Sequence, residues 1–117
     1  MKSKKNPFWM PFSIGDYLSD TMHLTTIQHG AYFLLILAYW KNRGPLLIED
    51  LGYISKLNDS DWEKYHLSLE RFFDINEMPG FWVHHRIERD LKETLERIEK
   101  NTKRGKAGAA ARYGKEY

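Results

Sequence analysis

Five histidines, two close pairs of aspartates and one glycine-rich basic stretch are the residues whose type and spacing could do chemistry. The histidines raise a metal first. His84 and His85 are adjacent on an expected strand, so their rings point to opposite faces and cannot share an ion. His23 and His29 lie six apart across a helix start, and His66 would need Glu63 and Glu70 from its own helical face. No closed ligand set emerges, and no metal is expected. His23 and His29 are better placed to hydrogen-bond near the helix start and fix the segment before it. The acids read the same way: Asp16 with Asp20, and Asp59 with Asp61, flank turns, where aspartate usually caps. The stretch Arg104-Gly105-Lys106-Ala107-Gly108 lacks the preceding strand and the spacing of a phosphate-binding loop. Cysteine is absent, which excludes thiol chemistry, disulfides and cysteine-ligated zinc, and fits a cytoplasmic setting. No enzyme and no cofactor are expected.

Charge is more informative once divided along the chain. Three lysines fall in the first five residues, and six cations stand against Glu116 alone from Lys100 onward. Since the whole chain carries +2, residues 6–99 must carry −6. An acidic body therefore sits between two basic ends. The longest apolar stretch, Ala31 to Trp40, would span only about 15 Å as a helix, half a bilayer core, so no membrane partner is expected.

The elements that must position these residues follow from pattern. Residues 1–7 read as a basic leader, residues 8–99 as the domain and residues 100–117 as a basic Gly/Ala-rich tail, disordered or conditionally helical. Residues 8–22 are aromatic-rich and aperiodic; Pro11 and Gly15 argue against a long element, leaving a strap with Asp16 capping one short turn. Thr25-Thr26-Ile27-Gln28 is a capping box that opens a helix apolar on nearly every side, closed by Arg43-Gly44-Pro45. Leu46-Leu47-Ile48 could form one short strand. Helices are then expected over about 49–57 and 61–73, separated by Asn58-Asp59-Ser60. Phe73-Asp74-Ile75 and Phe81 to His85, around Pro79-Gly80, read as a β-hairpin, and a last helix begins near Ile87. The fold class is mostly α with a small β-hairpin, and the element order is that of a winged helix-turn-helix.

The strings Trp9-Met10-Pro11-Phe12, Ile14-Gly15-Asp16-Tyr17-Leu18, His23-Leu24-Thr25 and His29-Gly30-Ala31-Tyr32, then Tyr39-Trp40, Gly44-Pro45-Leu46 and Trp82-Val83-His84, resemble the YdaU-like prophage family. That is a domain of unknown function found in phage and prophage proteins, often ahead of replication-initiator or helicase-loader-like regions. The resemblance implies a winged-helix fold and a role in phage DNA replication. It brings no catalytic residues.

Two functions follow as expectations. The first is low-specificity DNA association through wing and tail. The helix expected to read DNA is net negative, leaving Lys64 and Arg71 as its cations, with Arg86 and Arg89 after the hairpin and Lys100, Lys103, Arg104, Lys106, Arg112 and Lys115 in the tail. The alternative is a protein-interaction module that docks phage or host replication proteins. A homodimer burying Trp9, Phe12, Tyr32, Phe33, Ile36 and Tyr39 would explain the all-round apolar helix and the aromatic strap.

Overall fold

Thr25 closes the first turn of the central helix. Its hydroxyl accepts from the Gln28 amide at 3.2 Å, while the Gln28 side chain accepts from the Thr25 amide at 2.7 Å. The same Gln28 donates from Nε2 to Ser68 Oγ at 2.7 Å, so one residue caps a helix and ties it to a neighbour. The structure, a computed structural model, describes residues 9–113, with side chains through residue 103. The expected leader and Lys115 lie outside the described residues.

Among the described residues, five helices and two very short strands follow in order: α1 (Ile14–Thr21), α2 (Thr26–Asn42), β1 (Leu46–Leu47), a 3-10 turn (Ile48–Asp50), α3 (Leu51–Ser55), α4 (Asp59–Glu70), β2 (Phe81–Trp82) and α5 (His85–Tyr113). The protein is mostly helical with a small antiparallel sheet, hence α+β. In that sheet Leu46 faces Trp82 and Leu47 faces Phe81.

Three local expectations are corrected. The strap contains an eight-residue helix, because Ser13, not Asp16, is its cap: the Ser13 hydroxyl accepts from the Asp16 amide at 3.2 Å. The helix expected from residue 61 starts at Asp59, since Asn58 Oδ1 accepts from the Asp61 amide at 2.7 Å. The hairpin is reduced to one bridge, Asp74 with Val83, and β2 takes β1 as its ladder partner instead. The cause is local. Asp74 Oδ1 accepts from the amides of both Asn76 and Glu77 (2.9 and 3.0 Å), turning the chain away before a second rung can form.

Packing centres on α2. Leu35 and Tyr39 are fully buried on it, joined by Leu51 from α3, Leu69 from α4 and Ile87 and Leu91 from α5. Tyr32 stacks on Phe72 at 4.3 Å between centroids, and Phe73 lies 4.9 Å from Trp82. Apolar residues all round α2 do not mean burial all round: Ile27, Phe33 and Leu37 remain exposed. Beyond Leu95, every residue of α5 whose side chain is described is exposed, so the helix leaves the body there. It runs through the boundary expected between residues 99 and 100, and at 29 residues is about 43 Å long.

α5 is joined to the core by a polar knot. The Tyr39 hydroxyl donates to Glu88 Oε2 at 2.5 Å and accepts from the His84 amide at 3.0 Å. Burial, followed by the bond to Glu88, raises the phenol's pKa above its ordinary value. Tyr39→Phe strands both partners and is expected to lower the unfolding free energy by about 1–3 kcal/mol. The readout is a lower denaturant midpoint at unchanged slope; an unchanged midpoint would mean the knot adds nothing to stability.

Candidate functional site

The N-terminal strap and α1 lean against α2 and the start of α5, leaving a cleft of about 230 Å³ between them. Its apolar lining includes Met10, Phe12, Ile36 and Ile87, and its polar lining includes Asp16, Asp20, Arg86, Arg89 and Asp90. Phe12 lies 5.3 Å from the Tyr17 ring and 5.6 Å from that of Phe33, so the strap is held by aromatic contacts. His29 fixes it from below, as expected, through a 2.8 Å hydrogen bond between Nδ1 and the Tyr17 hydroxyl. His23 stacks on Phe72 instead, 5.9 Å between centroids.

Arg86 crosses the cleft to Asp20 at 3.0 Å and reaches Asp16 at 4.0 Å. Asp16 and Asp20, read from sequence as turn residues, therefore belong to a shared acidic face of α1. Beside them His84 is buried and holds the first turn of α5: its Nδ1 accepts from the Ile87 amide at 3.2 Å. Nε2 must then carry the proton of the neutral ring and donate to the Tyr32 hydroxyl at 2.9 Å. Burial pushes the His84 pKa down to about 4, and the Arg86 charge adds to the effect. Burial also raises the Asp90 carboxyl. Trp40 lines the same cleft, and its buried Nε1 has no hydrogen-bond partner among the described residues. The arrangement suits binding.

The residues expected to meet DNA divide sharply. Lys64 and Arg71 are exposed on and just after α4; the Lys64 ammonium stands 5.2 Å from the Tyr65 ring centroid. They share that helix with Asp59, Asp61, Glu63 and Glu70. Arg86 is engaged by two aspartates, and Arg89 is exposed at the cleft. Lys100 and Lys103 are exposed on α5, Lys103 being 3.8 Å from Glu99. Arg104, Lys106 and Arg112 lie on α5, but their side chains are outside the described residues.

The expected oligomer face also divides. Tyr32, Ile36 and Tyr39 are corrected to core residues, because α3, α4 and α5 of the same chain already cover that side of α2. Trp9, Phe12 and Phe33 stay exposed, and Leu37 joins them one turn beyond Phe33.

Another group was not anticipated. Asp74, Glu77 and His85 converge where the 73–75 arm meets the start of α5, with ligand-type atoms all within 4.8 Å of one another. His85 Nε2 lies 2.8 Å from Asp74 Oδ2 and 3.3 Å from Glu77 Oε1. Its bond to Asp74 raises the His85 pKa and lowers that of Asp74. The Asp74/Glu77 spacing carries part of the signal in the sequence, but His85 stands eight residues beyond Glu77 and only the fold brings it in. His66 lies outside this group, its Nδ1 donating to the Trp62 carbonyl at 2.9 Å.

A family model described as a protein of unknown function (DUF1376) matches residues 8–92. An uncharacterized protein, YdaU, from Escherichia coli (strain K12) is 41% identical over 104 residues, covering 89% of this chain and 36% of its own length. The chain thus spans little more than a third of that relative. No solved structure matches.

Proposed function

The chain belongs to the DUF1376 family of proteins of unknown function, and from that premise we propose a DNA-associated winged-helix protein of phage type, acting in replication initiation or its control. The order α2, β1, α3, α4, the 73–75 arm and β2 supports the winged-helix reading, because β1 pairs with β2 and the bridge between Asp74 and Val83 ties the arm to the end of β2. The contact with DNA is assigned to the end of α5. The observation that carries it is the continuous helix through Lys100, Lys103, Arg104, Lys106 and Arg112, with no acid between residues 100 and 113. Over about 20 Å of helix that is a cationic rod on an acidic body. The wing contributes little, since Asp74 and Glu77 occupy it and Arg86 is held by Asp20. Affinity on this reading is electrostatic and nearly indifferent to sequence.

Titration of duplex and single-stranded DNA with the full chain and with a version ending at Glu99 tests it. Five phosphate contacts give a slope of about −4.5 for log affinity against log salt on duplex. The full chain is expected to bind at low salt with that slope, and the shorter version to lose it. Equal binding by both versions, or by neither, overturns the assignment.

A second reading, a docking module for replication proteins, draws support from the cleft beside the exposed aromatics Trp9, Phe12 and Phe33. The same face would serve a homodimer, and light scattering at high concentration decides that point: a clean monomer removes it. A cytoplasmic setting accompanies both readings. No helix among the described residues is long and apolar enough to cross a membrane.

A further inference from the structure

We propose that Asp74, Glu77 and His85 form a binding site for one divalent transition-metal ion, best suited to zinc, that staples the 73–75 arm to the start of α5. The donor set is one imidazole nitrogen and two carboxylate oxygens, which suits a borderline ion better than magnesium or calcium, which prefer all-oxygen shells.

Geometry makes the case. Zinc bonds to nitrogen and oxygen of about 2.0–2.2 Å put tetrahedral ligand atoms about 3.3–3.6 Å apart. Glu77 Oε1 and His85 Nε2 already stand 3.3 Å apart. Asp74 Oδ2 and His85 Nε2, at 2.8 Å, need to separate by only about half an ångström. Asp74 can offer Oδ2 freely because its other oxygen is occupied by the Asn76 and Glu77 amides.

The backbone also holds the site together. The Asp74 amide donates to the Val83 carbonyl at 2.7 Å and the Val83 amide returns the bond at 3.1 Å, fixing the span between Asp74 and the segment leading to His85. All three side chains face solvent to some degree, so an ion can enter and a water can fill the fourth position. A cavity of about 330 Å³, lined in part by Arg71, Asp74, His85 and Arg86, adjoins the group; the role proposed for the ion is structural, because its ligands come from both the arm and α5. It is independent of the DNA reading.

The test uses the untagged full chain, stripped with chelator and titrated with zinc chloride by calorimetry. The His85 ring nitrogens are followed by long-range proton–nitrogen NMR. One equivalent is expected, with the His85 Nε2 resonance moving to a metal-bound position and a higher unfolding midpoint. Glu77→Gln leaves the Asp74 turn in place and is expected to weaken binding roughly tenfold or more; His85→Gln is expected to abolish it. Circular dichroism confirms that both variants fold. The proposal is overturned if zinc gives no heat, if the NMR shift appears at another histidine, or if either variant binds zinc as the parent does. Equally tight binding of magnesium would overturn the assignment of the ion.

Discussion

Lowering the pH from 7 to 4 is expected to remove about 3 kcal/mol of stability, most of it through His84. This histidine is buried with its Nδ1 accepting from the Ile87 amide, so the fold holds the neutral ring. A second proton has nowhere to go except onto that acceptor. It would break the cap and place a cation at the positive end of a helix beside Arg86. The folded pKa of about 4 lies below the ordinary 6.5. The stabilisation is therefore complete above pH 6.5 and declines as the pH falls toward 4.

Neighbouring groups modify the curve without reversing it. His85 is raised by Asp74, so its contribution is present at low pH and fades as pH climbs through its folded value. Asp90, raised by burial, gains protons early and offsets part of the loss near pH 4. Asp20 also favours the His84 cation, while Tyr32 and Tyr39 stay neutral throughout. Urea midpoints at pH 7, 5.5 and 4 measure the effect. His84→Asn, which keeps an acceptor at the cap, is expected to flatten the profile; a variant as acid-sensitive as the parent would remove His84 from the account.

Leu35→Ala is expected to cost about 2–5 kcal/mol, enough to threaten a domain of this size at 37 °C. Leu35 is fully buried at the middle of α2, where the surrounding helices cannot close the gap without moving. Two residues along, Leu37 faces outward, and Leu37→Ser is expected to stay within about half a kcal/mol. Thermal unfolding of the pair at two protein concentrations carries further information. If copies of the chain cover the Phe33 and Leu37 face, the parent midpoint rises with concentration and that of Leu37→Ser does not. Near-equal costs for the two substitutions would contradict the orientation of α2.

What could be read from the sequence was local. The Thr25/Gln28 box needs only four consecutive residues; the strand expected to carry His84 and His85 ends at Trp82, and the two differ because His84 is buried just before α5 while His85 opens that helix exposed. What could not be read involves partners far apart in the chain. Arg86 looked available for phosphate because Asp20 lies 66 residues earlier. β2 looked like half of a hairpin because its ladder partner β1 precedes two helices. An all-apolar helix gives no clue to which side its own domain covers, so from sequence alone Tyr32, Ile36 and Tyr39 read as an outward face although all three are buried. α1 is hidden in the sequence for a different reason: Pro11 and Gly15 both argue against a helix, and the single hydroxyl of Ser13 starts it.

The departure of α5 from the body has a mechanical side. Ile87, Leu91 and Thr94 are buried where the helix crosses the core, and they act as a bearing that fixes its heading and its azimuth. Each further residue advances the rod about 1.5 Å and turns it about 100°. The compass direction of every backbone position along the protruding arm is thereby geared to the acidic body. Distance and bearing are locked into a single screw motion, and neither can be retuned by insertion or deletion without disturbing the other.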